Sequence, residues 1–171
     1  MTTVYLSLGS NMGDRAENIA QAIAALRQHG MHVTQESSLY ETEPLEIREQ
    51  PWFLNCAVAA ETELSPERLM ETLLEIEREM GRERVVPKGP RLIDMDILLY
   101  GSDIVREPRL EIPHPRMAER KFVLVPLAEI AGEVNHPAAI MTIAEMLEAT
   151  ADRSEVRNWP GGNTTNARQA F

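Results

Sequence analysis

The sequence predicts an α+β fold with a ferredoxin-like βαββαβ core. Helices cover one sheet face, mobile loops lie over the other, and a C-terminal helix and tail follow. Three observations predict it. Four short segments alternate apolar and polar residues, the period of a half-buried strand. Two longer segments carry apolar residues at helical spacing behind recognisable caps. Their order along the chain is strand, helix, strand, strand, helix, strand.

Val4 to Gly9 alternates and reads as the first strand, and Asn11-Met12-Gly13-Asp14 is a turn. Asp14 with Glu17 fits a capping box, so an amphipathic helix runs to about Gln28. Val33 to Tyr40 is the second strand. Glu41 to Trp52 is polar, holds two prolines and reads as a loop. Phe53 to Ala60 is the third strand. Ser65-Pro66 is an N-cap with proline at the first helical position, and Leu69, Leu73, Ile76 and Met80 continue as a stripe to Gly81. Gly81 to Leu92 is a basic loop, and Ile93 to Tyr100 the fourth strand. Ile104 to Arg106 starts a short return strand, and Pro113 to Arg120 is a loop or short helix. Phe122 to Val125 is apolar until Pro126 breaks it. Thr142 and Glu145 cap a last helix to about Ala149. Residues 1–150 thus read as one domain, and 151–171 as a loosely held polar tail.

The 171 residues suffice for one self-supporting core and leave no room for a second domain. A single cysteine, Cys56, excludes an internal disulfide and a cysteine-based zinc site. No apolar run approaches the roughly 20 residues of a membrane span, and the first residues lack a secretion signal. The expected setting is a cytoplasm. A net charge of −10 argues against a nucleic-acid or membrane-surface partner. Against that background, residues 81–122 carry nine bases and seven acids. A locally basic centre fits a bounded anion site, and equally a solvated face. Arginine supplies 15 of the 17 basic residues and makes the two-pronged phosphate contacts that lysine cannot.

The sharpest local signal is Asp94-Met95-Asp96. On a strand both carboxylates share one face, roughly 7 Å apart at the backbone. Ile93, Met95, Ile97 and Leu99 take the core face. Such a pair can hold hard cations, although a bare pair also fits an exposed strand with solvated acids. The neighbours favour cations: Gly89-Pro90-Arg91 delivers an arginine beside the acids, and Arg82 and Arg84 stand upstream. Metal-fixing acids beside phosphate-neutralising arginines are what nucleotide chemistry requires. Ile112-Pro113-His114-Pro115 holds a histidine extended, able to donate to phosphate or bond a carbonyl. Phe53 and Asn55 share a face of the third strand. An aromatic beside a carboxamide suits a flat heteroaromatic ring, and ordinary strand packing as well. Cys56 points to the core as a small hydrophobe. His29, His32 and His136 read as surface residues. There is no glycine-rich phosphate loop of the GxxxxGK[ST] or GxGxxG type.

Taken together, Leu8-Gly9-Ser10-Asn11, Tyr40-Glu41-Thr42-Glu43-Pro44, Phe53-Leu54-Asn55, Ile76-Glu77, Gly81-Arg82, Gly89-Pro90-Arg91-Leu92-Ile93-Asp94-Met95-Asp96, Pro113-His114 and Arg120-Lys121-Phe122 resemble the 6-hydroxymethyl-7,8-dihydropterin pyrophosphokinase family. The resemblance covers roughly residues 3–150. It implies transfer of pyrophosphate from ATP to the pterin hydroxymethyl group, with AMP as co-product, in folate synthesis. It implies two Mg²⁺ ions on Asp94 and Asp96, and Arg82 and Arg91 on the transferring group. ATP would be bound by Glu77, Arg84, Arg91, Ile97, Arg109, His114 and Arg120. Thr42, Leu45, Phe53, Asn55 and Phe122 would form the pterin pocket, the two phenylalanines sandwiching the ring. The loops at 41–50 and 82–91 would close over the substrates and exclude water. Lys88 stands where several members carry a tryptophan, so the closing contact would differ. A monomer is expected. The competing reading is a non-catalytic ferredoxin-like module that binds a nucleotide for regulation.

Overall fold

The computed structural model describes residues 1–44, 49–81 and 91–160. Along the chain run β1 (Thr2–Ser10), α1 (Arg15–Gln28), β2 (His32–Glu36), β3 (Tyr40–Thr42), β4 (Phe53–Thr62), α2 (Pro66–Glu79) and β5 (Asp94–Tyr100). The hairpin β6 (Val105–Glu107) and β7 (Leu110–Ile112) follows, then a 3-10 turn at Met117–Glu119. The last elements are α3 (Lys121–Ala131), α4 (Ile143–Ala149) and β8 (Val156–Asn158). The main sheet has the order β5-β1-β4-β3-β8, with β2 also on β4, and every pairing is antiparallel. The expected ferredoxin-like core is present.

Strand alternation sends each face to a separate core. Val4, Leu6 and Leu8 of β1, Leu54, Cys56 and Val58 of β4, and Met95 and Ile97 of β5 pack against Ile19, Ile23 and Leu26 of α1 and Leu69, Leu73 and Ile76 of α2. Both helices start as their caps predict: Asp14 accepts from the Glu17 N–H, and Ser65 from the Arg68 N–H with Pro66 behind it. Burial pushes the Cys56 thiol pKa well up, in keeping with a packing role.

The opposite face is not left to loops alone. Leu124 and Leu127 of α3 and Ile143 and Met146 of α4 cover the half nearest Tyr5, Ala57 and Leu99. The uncovered half becomes the functional cleft. Leu99 was expected on the α1/α2 face with Ile97. A bulge corrects this: Tyr5 pairs with Leu99 while Leu6 pairs with Ile97, so Leu98 is extra and every side chain beyond it changes face.

Three further expectations change. Pro126 does not break its segment but lies inside α3, where it removes the hydrogen bond to the Phe122 carbonyl. Burial of Val123, Leu124, Pro126 and Leu127 outweighs that loss. The second strand is divided into β2 and β3, because Ser37 turns its hydroxyl to the Ala57 N–H between them. Finally, residues 156–158 are no loose tail but an edge strand: Val156 pairs with Thr42, and the Trp159 N–H donates to the Leu39 carbonyl. Among the described residues, no helix is long and apolar enough to cross a membrane.

Truncating fully buried Leu69 to alanine should lower unfolding free energy by about 2–5 kcal/mol. Leu74→Ala, on the exposed side of the same helix, should stay within about 0.5 kcal/mol. Urea unfolding followed by circular dichroism measures both, and equal losses would contradict the assigned helix face.

Candidate active site

The uncovered half of the sheet holds a cleft of about 270 Å³. Its floor is built by register. Gly9 of β1 lies opposite Asn55 of β4 on one side and Asp94 of β5 on the other. Ser7, two residues earlier, lies opposite Ala57 and Asp96. Asp94 and Asp96 therefore share the cleft face, as strand parity predicted, and the Asn55 amide stands two strands away.

Gly9 leaves the space between them. A Cβ at this position would lie 2.5 Å from Asn55 Oδ1 and 3.5 Å from the Phe53 ring. Asn55 cannot simply swing aside, because its Nδ2 donates to the Thr42 hydroxyl at 2.6 Å in a buried bond. That bond fixes the amide with its carbonyl oxygen directed toward Gly9.

Asn11, at the end of the same strand, stitches two loops to the floor. Its Oδ1 accepts from the Arg91 N–H at 2.6 Å, and its own N–H donates to the Arg91 carbonyl at 3.0 Å. Its Nδ2 donates to Gln50 Oε1 at 2.9 Å and to the Pro51 carbonyl at 3.0 Å. Arg91 is thereby held by its backbone, and its guanidinium reaches Asp94 at 3.3 Å.

His114 is set beside β5 by its N–H, which donates to the Leu98 carbonyl at 3.0 Å. Its Nδ1 accepts from the Arg116 N–H at 3.2 Å, so the neutral ring carries its proton on Nε2. Burial, reinforced by the charges of Arg120 and Arg116 and only partly opposed by Asp94, lowers its pKa to about 4. At neutral pH it is an uncharged donor. Arg120 immediately precedes α3, with its guanidinium 5.7 Å from the Phe122 ring, and both residues line the cleft.

Of the residues singled out from sequence, Thr42, Phe53, Asn55, Arg91, Asp94, Asp96, His114, Arg120 and Phe122 all line this cleft. Glu77, Ile97 and Arg109 do not. Glu77 is buried at the end of α2 and accepts from the Met95 N–H at 2.9 Å; Ile97 faces α1 and α2; Arg109 lies in the exposed turn between β6 and β7. Leu45, Arg82, Arg84 and Lys88 lie outside the described residues. Ser7, Glu43, Pro44 and Gln50 also line the cleft and were not assigned roles from sequence. Parity with Gly9 along β1 was the signal available for Ser7.

Among the described residues no group of three or more His, Cys, Asp or Glu could hold a metal ion. The oxygen-only pair Asp94 and Asp96 suits Mg²⁺, which keeps several waters and takes remaining ligands from substrate phosphates.

Chemistry at this cleft divides in two. The β5 side suits a hard cation and phosphate oxygens; the β3 side suits a flat ring with hydrogen-bonding edges. A ferredoxin-like sheet carrying both halves can seat a phosphate-bearing group beside a flat ring. The chain belongs to the 7,8-dihydro-6-hydroxymethylpterin-pyrophosphokinase family, whose sequence profile matches residues 5–132. It is 46% identical over 156 residues to the 2-amino-4-hydroxy-6-hydroxymethyldihydropteridine pyrophosphokinase of Bacillus subtilis, covering 91% of this chain and 89% of that one. It is 45% identical over 149 residues to the folic acid synthesis protein fol1 of Pneumocystis carinii, covering 87% of this chain but only 20% of that longer protein. The fold superposes on a Plasmodium falciparum HPPK-DHPS crystal structure with a TM-score of 0.69 at 16% identity, covering 86% of this chain and 43% of that one.

Gly9→Ala should lower kcat/KM by about a hundredfold by displacing Asn55, while the circular dichroism spectrum is retained. Full activity in this variant would remove Asn55 from the site. The His114 pKa also sets a pH dependence. Its folded value of about 4 lies below the ordinary 6.5, so the unfolded chain binds the extra proton between these values. The stability tied to neutral His114 is complete above pH 6.5 and is lost as pH falls toward 4. In magnesium-free buffer, urea unfolding should show a shallower loss for His114→Gln than for the parent over this window; parallel curves would contradict the shift.

Proposed function

We propose that this chain transfers the β,γ-pyrophosphoryl unit of ATP to the hydroxymethyl group of 6-hydroxymethyl-7,8-dihydropterin, giving the pterin diphosphate and AMP, a step of folate synthesis. The observation that carries this reading is the row Asp94, Gly9, Asn55 across three adjacent strands. It sets a carboxylate for the phosphate end beside an amide for the ring, with an opening between them.

In this reading the pterin lies between Phe53 and Phe122, its polar edge toward Asn55 and Thr42, with Leu45 closing the pocket. Stacking and edge pairing orient the hydroxymethyl group toward β5. Asp94 and Asp96 would hold two Mg²⁺ ions, which would supply charge neutralisation at the phosphates and a lower pKa for the attacking hydroxyl. The alcohol oxygen bonds to the β-phosphorus as the bond from that phosphorus to the α-phosphate oxygen breaks, releasing AMP. The hydroxyl proton passes to an Asp94 or Asp96 carboxylate. Arg91, Arg82 and Arg84 spread the charge developing on the transferred group. His114 donates through Nε2–H and Arg120 through its guanidinium to the nucleotide phosphates. Glu77, Ile97 and Arg109 would serve the nucleoside, which would then lie outside the cleft. In the same reading the chain works as a cytoplasmic monomer, with 1–150 as the catalytic domain.

The test is a magnesium-dependent assay with ATP and the hydroxymethyl pterin, resolving AMP from ADP. AMP should appear in step with pterin diphosphate. Asp94→Asn and Asp96→Asn should each lower kcat by at least about a hundredfold. ADP as product, or wild-type rates in both variants, would refute the reading; tight nucleotide binding without turnover would favour a regulatory module.

A further inference from the structure

The C-terminal segment makes contacts that a passive tail would not need. Asp152 Oδ2 accepts from the Lys121 N–H at 2.8 Å. This is the start of α3, where Arg120 offers no side-chain cap, so the carboxylate of a distant residue caps the helix carrying Phe122. The Ser154 N–H holds the other Asp152 oxygen at 2.9 Å. Two residues on, the segment joins β3, with Val156 opposite Thr42 and Arg157 opposite Glu41. The Glu155 N–H donates to Glu43 Oε1 at 2.7 Å, and Glu43 lines the cleft.

The tightest knot lies at Arg157. Its Nε donates to Glu41 Oε1 at 3.0 Å, and its guanidinium lies 4.6 Å from the centre of the Trp52 ring. Arg15 holds the other Glu41 oxygen at 2.9 Å and the Trp52 carbonyl at 2.8 Å, and lies 5.0 Å over Trp159. The Glu41 side chain is only 13% exposed. Burial alone would raise its pKa, but the bonds from Arg157 and Arg15 outweigh that and hold it below the ordinary range. A charge so enclosed depends on both partners. Glu41 and Trp52 immediately precede Thr42 and Phe53.

We infer that residues 152–159 act as a strap that sets the spacing of the ring-binding walls, Phe122 on one side and Thr42 with Phe53 on the other, with Arg157 as its main positioning residue. This rests on the reading that these walls receive the pterin. Selectivity at Arg157 follows from topology. β8 and β5 are opposite edges of the sheet, so this anchor is remote from Asp94 and Asp96, whereas the Asp152 anchor adjoins Arg120 and carries no such selectivity.

Binding of the pterin, in the presence of a non-hydrolysable ATP analogue and Mg²⁺, and steady-state kinetics test this in the full chain. Arg157→Ala should raise the pterin Kd and KM by about fivefold, the scale of couplings between contacting residues. The KM for ATP and kcat should stay within about twofold. Arg157→Lys should recover part of the loss, since lysine keeps the charge but not the fork or the stacking. Asp152→Ala, at the other anchor, should raise the pterin KM as well. Asn55→Ala is the control for the ring-side reading. An unchanged pterin KM in Arg157→Ala with a raised one in Asn55→Ala overturns the strap alone. An unchanged KM in Asn55→Ala overturns the ring assignment and the strap with it. A fall in melting temperature without the split between pterin and ATP would reduce Arg157 to a structural residue.

Discussion

The architecture depends on how β1 is paired. It lies between β4 and β5, and its inward residues Val4, Leu6 and Leu8 anchor the core against α1 and α2. Its other parity must then face the cleft, and there the residues are Ser7 and Gly9. Small residues at the centre of a sheet weaken local packing, since glycine contributes no side chain and loses the most conformational freedom. Here the missing side chain gives Asn55 its room. A sheet in which one parity is fully apolar cannot slip register by one residue without exposing that core. The cleft geometry is therefore enforced from the opposite face.

The same separation organises the charges. The chain is strongly acidic, yet Arg91, Arg120 and neutral His114 share the cleft with Asp94 and Asp96. Arg91 is positioned by its backbone through Asn11, so its guanidinium can exchange Asp94 for a phosphate oxygen without losing its place. His114 is kept uncharged by its surroundings, so it adds a donor to the site without adding repulsion toward the arginines.

Much of this was legible in the sequence wherever one residue's environment repeats with a period. β1, β4 and β5 alternate, and α1 and α2 have their caps, so the faces of Phe53, Asn55, Asp94 and Asp96 followed from parity. The departures arise where a distant contact overrides a local rule. Nothing in Leu98-Leu99-Tyr100 marks the bulge, because any of the three residues could be the extra one. Pro126 is a helix breaker by local geometry, but its segment is buried against the sheet, and that burial decides. β8 is three residues long and bears a charge, so it has no periodicity to read; its partner Thr42 lies more than a hundred residues away. The nine cleft residues found from sequence lie on or beside regular elements. Of the three that fall outside it, Ile97 was already on the core face by parity, and Glu77 and Arg109 sit where a fold-level resemblance gives a neighbourhood but not a direction.

The arrangement around Arg15 and Arg157 has a consequence for optical spectroscopy. The chain has two tryptophans, and each lies beneath a guanidinium, Trp52 under Arg157 and Trp159 under Arg15. The indole excited state has a larger dipole than the ground state, so a fixed positive charge near the ring shifts the emission. Ultraviolet emission from this protein thus originates almost wholly at one junction between its C-terminal strand and the segment leading into β4, without any introduced label.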